Sequence, residues 1–275
     1  MTEPDSAPRP RRDGRAAPLS PPAHAALAWA HTARFAITAA QLDQLPAPGL
    51  PEIAFVGRSN AGKSSAINAL AQHKRLAFSS RTPGRTQHIN LFELGPKAAP
   101  DTLFADLPGY GYAAVERGAK LRWQRVMAEY LQRRASLAGL VLLVDSRLGL
   151  TDLDMRLLAL VTPRLAGGAV RLLVLLTKAD KLNRRESQAA LARCEAVLGG
   201  VAAQAGEDAD IGVGLFSALS REGLADAAQA LHAWRRAGGL EGTHGVVPGA
   251  PAAAAGEAAS ATAGAAMPRL KEIGS

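Results

Sequence analysis

Residues 57–64 read Gly57-Arg58-Ser59-Asn60-Ala61-Gly62-Lys63-Ser64, a complete G-x-x-x-x-G-K-S. The two glycines let the backbone curl until its N–H groups face inward. The helix expected after Lys63 adds its positive end, so the loop is built to cradle a chain of phosphates. In that arrangement Lys63 reaches the β- and γ-phosphates and the Ser64 hydroxyl binds Mg²⁺. The loop specifies a nucleoside triphosphate without naming the base.

Working outward, Ile53–Val56 is a short apolar run ending at Gly57, and Ala66, Ile67 and Leu70 share one face of the helix that follows. Ile89–Leu94 and Leu103–Ala105 read as strands joined by a turn at Gly95–Asp101. Trp123, Met127, Tyr130 and Leu131 mark a helix near 118–135. Strands at Leu140–Val144, Val170–Leu176 and Val213–Phe216 then alternate with helices near 152–166, 185–198 and 221–236. This order predicts an α/β fold of the P-loop NTPase type. The sheet is expected to be six-stranded and mainly parallel, with one antiparallel strand and helices on both faces. Ligands of such sheets bind at the carboxyl ends of the strands.

Each further motif follows a predicted strand. Asp106-Leu107-Pro108-Gly109 places a carboxylate where it can hold Mg²⁺ through water, and a glycine N–H where it can sense a γ-phosphate. Thr177-Lys178-Ala179-Asp180 supplies the base reader. Guanine offers N1–H and N2–H₂ on one edge, which a single carboxylate accepts together, and adenine has no such pair. Asp180 therefore selects GTP or GDP, while Lys178 lies along the base and braces the phosphate loop. The usual first residue of this motif is Asn; Thr177 departs from it and keeps one hydroxyl. Phe216-Ser217-Ala218 closes the base pocket with a backbone N–H for the guanine O6. Between the phosphate loop and the second strand lies a polar loop, 79–88, in which both Thr82 and Thr86 have the spacing to place a hydroxyl on Mg²⁺.

The 275 residues carry a net charge of +8 and one cysteine, Cys194, which excludes internal disulfides and fits a reducing cytoplasm. The six histidines show no zinc spacing. The apolar runs are strand-sized, so no membrane partner is expected, and the basic balance favours nucleic acid. Positive charge gathers at Lys74–Arg85, Arg117–Arg134 and Lys181–Arg193; together these favour contacts to an RNA backbone over three unrelated solvated faces. Residues 1–25, rich in Pro, Arg and Ala, read as a disordered basic arm, 26–238 as the GTP-binding domain, and 239–275 as a low-complexity disordered tail. A monomer is the expectation.

These elements together resemble the EngB family (also called YihA or YsxC) of the translation-factor-related bacterial GTPases. The resemblance spans about residues 26–237 and rests on PEIAFVGRSNAGKSS (51–65), RTPGRTQHINLFE (81–93), DLPGYGYA (106–113), TKAD (177–180) and FSA (216–218). It implies nucleotide contacts at 57–64, at Gly84, Arg85, Thr86, Gln87 and His88, and at 106–109, 177–180 and 216–218. It also implies Mg²⁺ on Ser64 and Thr86, which decides between the two threonines. Lys63, Thr86 and Gly109 then carry the chemistry of hydrolysis. The implied role is assembly of the large ribosomal subunit, through rRNA and ribosomal proteins, and normal septation in cell division.

Many GTPases place a water-orienting glutamine after D-x-x-G. Here the residue is Tyr110, so unaided hydrolysis is expected to be slow and a partner, the assembling ribosome, to accelerate it. No residue stands out as an arginine finger, although Arg81 and Arg85 are near enough in sequence to be considered. Asn60 matches a position that coordinates K⁺ in some related GTPases. Two competing readings are an ATP-using phosphotransferase, which Asp180 opposes, and a nucleotide-regulated RNA-binding module with negligible hydrolysis, which Tyr110 supports.

Overall fold

The computed structural model describes residues 19–77, 88–111 and 117–237, excepting the side chains of 117–124, 236 and 237. The chain divides into residues 1–239 and 240–275. The second unit, holding nearly all of the expected tail, lies outside the described residues, as do residues 1–18 of the expected arm.

Seven strands form one sheet in the order β1-β3-β4-β2-β5-β6-β7. They are β1 Arg34–Ala39, β2 Glu52–Gly57, β3 Ile89–Leu94, β4 Thr102–Asp106, β5 Leu137–Asp145, β6 Arg171–Thr177 and β7 Ile211–Leu215. Only β3 runs against its neighbours; the β4–β2–β5–β6–β7 ladder is parallel throughout. The helices are α1 Pro21–Ala30, α2 Lys63–Leu70, α3 Arg117–Arg133, α4 Asp152–Leu165, α5 Arg184–Ala205 and α6 Leu224–Ala237.

The sheet thus has seven strands rather than six, and the added one is β1. Four of its six residues are exposed, including Phe35 and Ile37, and a bulge shifts its register between those two. An edge strand held mainly by backbone pairing leaves little hydrophobic pattern to read. The N-terminal boundary also moves. Helix α1 starts at Pro21, inside the expected arm, with Pro21 and Pro22 in its first turn and the Ser20 side chain accepting from Ala23 N. Proline suits the first turn of a helix, where its missing N–H costs nothing.

Alternation along the central strands feeds two cores. Ala54, Val56, Leu140, Leu142, Val144 and Val174 face one side, with Tyr130, Leu158, Val161 and Leu198 from α3, α4 and α5. Ile53, Phe55, Phe104, Val141, Leu143 and Leu175 face the other, with Ile67, Leu70, Leu231 and Trp29 from α2, α6 and α1. Every residue of β2 and β5 is buried, as expected for strands covered on both faces. Trp234 of α6 lies so close over β5 that a Cβ on Gly139 would fall 2.3 Å from its ring. Because they run parallel, β2, β4, β5, β6 and β7 bring their carboxyl ends to one common rim. Among the described residues no helix is long and apolar enough to cross a membrane.

Candidate functional site

The phosphate loop leaves β2 at Gly57, where an added Cβ would fall 2.7 Å from the Leu143 carbonyl oxygen. It turns through left-handed backbone at Asn60 (φ 66°) and Gly62 (φ 95°), the latter capping α2. Lys63 is buried and its ammonium pairs with the buried Asp106 carboxylate at the end of β4. Asp106 Oδ2 has no hydrogen-bond partner among the described residues. A buried carboxylate oxygen without a donor is costly. Beside the phosphate loop it suits a divalent cation's water shell, so the donor set fits Mg²⁺.

The β6 end carries the base-reading motif and ties it to the loop. The Thr177 hydroxyl donates to the Ala61 carbonyl at 2.6 Å and lies 3.1 Å from that of Val144. The hydroxyl kept in place of the usual asparagine thus ties the end of β6 to the phosphate loop. Lys178, in left-handed backbone (φ 59°), donates from Nζ to the Asn60 carbonyl at 2.8 Å. Ala179 N donates to the Phe216 carbonyl at 3.2 Å, while the Phe216 ring is buried in the core. The Ser217 hydroxyl donates to Asp180 Oδ1 at 2.6 Å and accepts from Leu219 N and Ser220 N. The Ser217 hydroxyl and then Lys181 hold the Asp180 carboxyl below the usual carboxylate range, so it stays ionised and able to accept.

One residue of this cluster escaped the sequence reading. Asp145, at the end of β5, accepts from Lys178 Nζ at 2.8 Å and from Arg147 through Nε at 2.9 Å and Nη2 at 2.7 Å. Its carboxyl is held well below the usual range by Arg147 and by Lys178. The signal was available: an acid closing a long apolar strand, the same pattern that marked Asp106.

Tyr110 follows Gly109 at the position that a water-orienting glutamine takes in many GTPases. Its side chain is instead buried, its hydroxyl donating to Asp154 Oδ1 of α4 at 2.5 Å. Leu107 is also buried, and Leu107 N donates to the Phe55 carbonyl. Pro108 lies between, buried as well. Of the expected contacts between phosphate loop and β3, Gly84, Arg85, Thr86 and Gln87, with Arg81 and Thr82, lie outside the described residues. His88 is described and exposed, as is Asn60; Ser64 and Ala218 are half-buried. Of the basic stretches, Lys74, Arg75, Arg125, Arg184, Arg185 and Arg193 are exposed. Arg134 is not: it is half-buried and its guanidinium pairs with the buried Glu52, so it leaves the expected basic face.

Comparison with known proteins identifies the family and agrees with the fold. A family model described as "50S ribosome-binding GTPase" matches residues 52–178. The chain is similar to the "Probable GTP-binding protein EngB" of Acidovorax ebreus, 57% identical over 208 residues, covering 76% of this chain and 90% of the relative. It is 56% identical to that of Albidiferax ferrireducens over 209 residues, 76% of this chain and 96% of the relative. Among solved structures, a probable GTP-binding protein engB aligns with TM-score 0.50 at 20% identity, over 68% of this chain and 99% of that one. Era in complex with MgGDPNP and part of 16S ribosomal RNA aligns with TM-score 0.51 at 18% identity, over 67% and 56%. The last two speak for the fold alone.

Proposed function

The chain belongs to the EngB family of GTP-binding proteins, and from that premise we propose that it is a Mg²⁺-dependent GTPase switch in large-subunit ribosome assembly, needed for normal septation and cell division. The observation that carries the reading is the convergence of β2, β4, β5, β6 and β7 on one rim. There Lys63 and Asp106 meet at the phosphate loop and Asp180 is fixed by Ser217 at the base side.

In this reading the backbone N–H groups of 57–64 wrap the phosphates, Lys63 neutralises the β- and γ-oxygens, and Gly109 N–H senses the third phosphate. Ser64 and Thr86 would hold Mg²⁺, whose charge would offset that of the phosphates, and Asp106 would bind its water shell. Asp180 accepts N1–H and N2–H₂ of guanine, and Ala218 N–H meets O6. Gly84, Arg85, Gln87 and His88 supply further contacts to the nucleotide.

The Tyr110 hydroxyl is committed to Asp154, so unaided hydrolysis is slow and a partner, the assembling large subunit, speeds it. Asn60 is exposed and can add K⁺ to the site; equal turnover in KCl and NaCl would end that idea. The exposed basic residues Lys74, Arg75, Arg184, Arg185 and Arg193 supply contacts to rRNA phosphates, and Era's complex with ribosomal RNA offers a parallel on the same fold. The protein acts as a cytoplasmic monomer.

The deciding experiment measures GTP and XTP affinity for the wild type and for Asp180→Asn. The substitution replaces an acceptor by a donor and is expected to move preference toward xanthine, whose extra oxygen needs one. A wild type that ignores GTP at millimolar concentration, or a variant with unaltered preference, overturns the reading. Tyr110 favours one second reading, a nucleotide-regulated RNA-binding module with negligible hydrolysis. Single-turnover rates with and without large-subunit particles separate the two, since acceleration by the particles belongs to the switch alone.

A further inference from the structure

Resting on the reading of the rim as a GTP site, we propose that Tyr110 and Asp154 form a latch that holds the 106–110 segment on the phosphate loop and must open when Gly109 turns toward a γ-phosphate, so that the pair sets the preference between GTP and GDP.

Three observations place the latch. The segment is zipped to the loop by backbone bonds: Tyr110 N donates to the Gly57 carbonyl at 3.2 Å and Ser59 N to the Tyr110 carbonyl at 2.9 Å, as a parallel bridge between Arg58 and Tyr110. Gly109 is pressed against Ser59, where an added Cβ would lie 3.2 Å from its Cα, N and Oγ. The anchor is rigid. Asp154 is buried, and its other oxygen accepts from Thr151 N at 2.7 Å and Thr151 Oγ1 at 2.6 Å in the cap of α4.

Gly109 cannot move off Ser59 without drawing Tyr110, its chain neighbour, away from Asp154. That movement strands a buried carboxylate oxygen, which opposes opening. A replacement donor stands ready. Arg58 Nε is buried without a hydrogen-bond partner among the described residues. It sits where a Cβ on Gly111 would come within 3.4 Å. Arg58 and Asp154 line the same cavity of about 210 Å³ beside the phosphate loop. Exchanging the phenol for the Arg58 guanidinium gives two discrete packings of one segment, the kind of element whose balance a ligand can shift. GDP has no third phosphate to draw Gly109, so it binds with the latch closed. Tyr110 is a positioning residue here: it acts through Gly109 and touches no nucleotide.

The test compares Tyr110→Phe with Tyr130→Phe, which makes the same chemical change at a phenol that donates to buried Glu52. Equilibrium dissociation constants are measured for GDP and for GTPγS. Tyr110→Phe is expected to raise GTPγS affinity relative to GDP by about tenfold, with GDP affinity itself held within about twofold. Tyr130→Phe is expected to lower Tm and leave the ratio unchanged, which separates a positioning role from a merely structural one. An unchanged ratio in Tyr110→Phe, or a shift toward GDP, overturns the latch while leaving the GTP site standing. A wild type that binds neither nucleotide overturns the site itself. If Tyr110→Phe does not fold, amide exchange in the wild type decides. The Tyr110 amide must exchange faster with GTPγS bound than with GDP, and equal exchange refutes the latch.

Discussion

At opposite ends of the same sheet, a buried tyrosine donates to a buried carboxylate: Tyr130 to Glu52 at 2.6 Å where β2 begins, and Tyr110 to Asp154 at 2.5 Å beside the loop where it ends. The two pairs match in chemistry and differ in company. Around Glu52, Arg134 fills both carboxylate oxygens and also reaches the Pro46 carbonyl. Arg164 donates to the Leu131 and Arg134 carbonyls, closing the knot. Beside Asp154, in the cavity that both residues line, Arg58 Nε remains buried without a partner among the described residues. A polar network satisfied within the protein holds one arrangement, whereas one with unmatched groups leaves room for a ligand or for an exchange of partners. The same pair therefore fastens α3 to β2 at one end and can serve as a moving part at the other.

The largest effect expected from this contrast is on stability, at the end away from the nucleotide. Glu52→Ala takes the shared acceptor from the half-buried Arg134 and the buried Tyr130 and is expected to cost about 3–5 kcal/mol by urea unfolding. GDP affinity of the folded fraction is expected to stay within about twofold. A drop of more than about tenfold in that affinity would break the comparison, because the two ends would then be coupled.

At the rim the expected effects are smaller and fall on binding. Asp145→Ala removes the acceptor shared by Lys178 and Arg147, and GTPγS and GDP are both expected to weaken by about tenfold, measured by calorimetry. Equal loss for both nucleotides is the mark of a brace for the base-reading motif; loss confined to GTPγS would instead join Asp145 to the latch. Thr177→Val strips the hydroxyl from the Ala61 carbonyl. It is expected to lower stability by about 1 kcal/mol and to weaken both nucleotides by only a few-fold.

The contrast also explains what the sequence could disclose. The phosphate loop, Asp106, Lys178 and Asp180 were legible because each stands at the end of an apolar run, and strand ends of a parallel sheet share a rim. The parallel core was legible for the same reason: β2 and β5, buried on both faces, read as unbroken apolar segments. β1 was not, because its stability comes from backbone pairing with β3 and its side chains are mostly exposed. Proline at 21 and 22 read as disorder, although the first turn of a helix accepts it. Tyr110 could be read as a missing glutamine but not as a donor to Asp154, since the two lie 44 positions apart and no local pattern joins them. Arg134 looked like part of a basic face because sequence does not show which arginine meets a buried acid.

The smallest effect is expected from pH near neutrality, and only outside that range does pH distinguish the rim carboxylates from the two phenols. Asp145 and Asp180 both titrate below the usual carboxylate range. A carboxyl depressed on folding contributes stability that is fully present above its unfolded pKa and is lost as pH falls through the folded value. The loss therefore starts only as pH drops below about 4. Burial, and then the neighbouring carboxylate, pushes the phenols the other way, above their usual value. A phenol raised on folding stabilises fully below its unfolded pKa, and that contribution is lost as pH rises beyond about 10. GDP affinity and Tm, so far as these four groups set them, are thus expected to be flat from about pH 5 to about pH 9. Above about pH 10 each buried phenol is expected to steepen the fall in stability by about 1.4 kcal/mol per pH unit. Tyr110→Phe and Tyr130→Phe are each expected to remove one such share, measured by urea unfolding across the alkaline range. A slope untouched by Tyr110→Phe would mean that its phenol already faces water, and the resemblance between the two ends would fail at its first step.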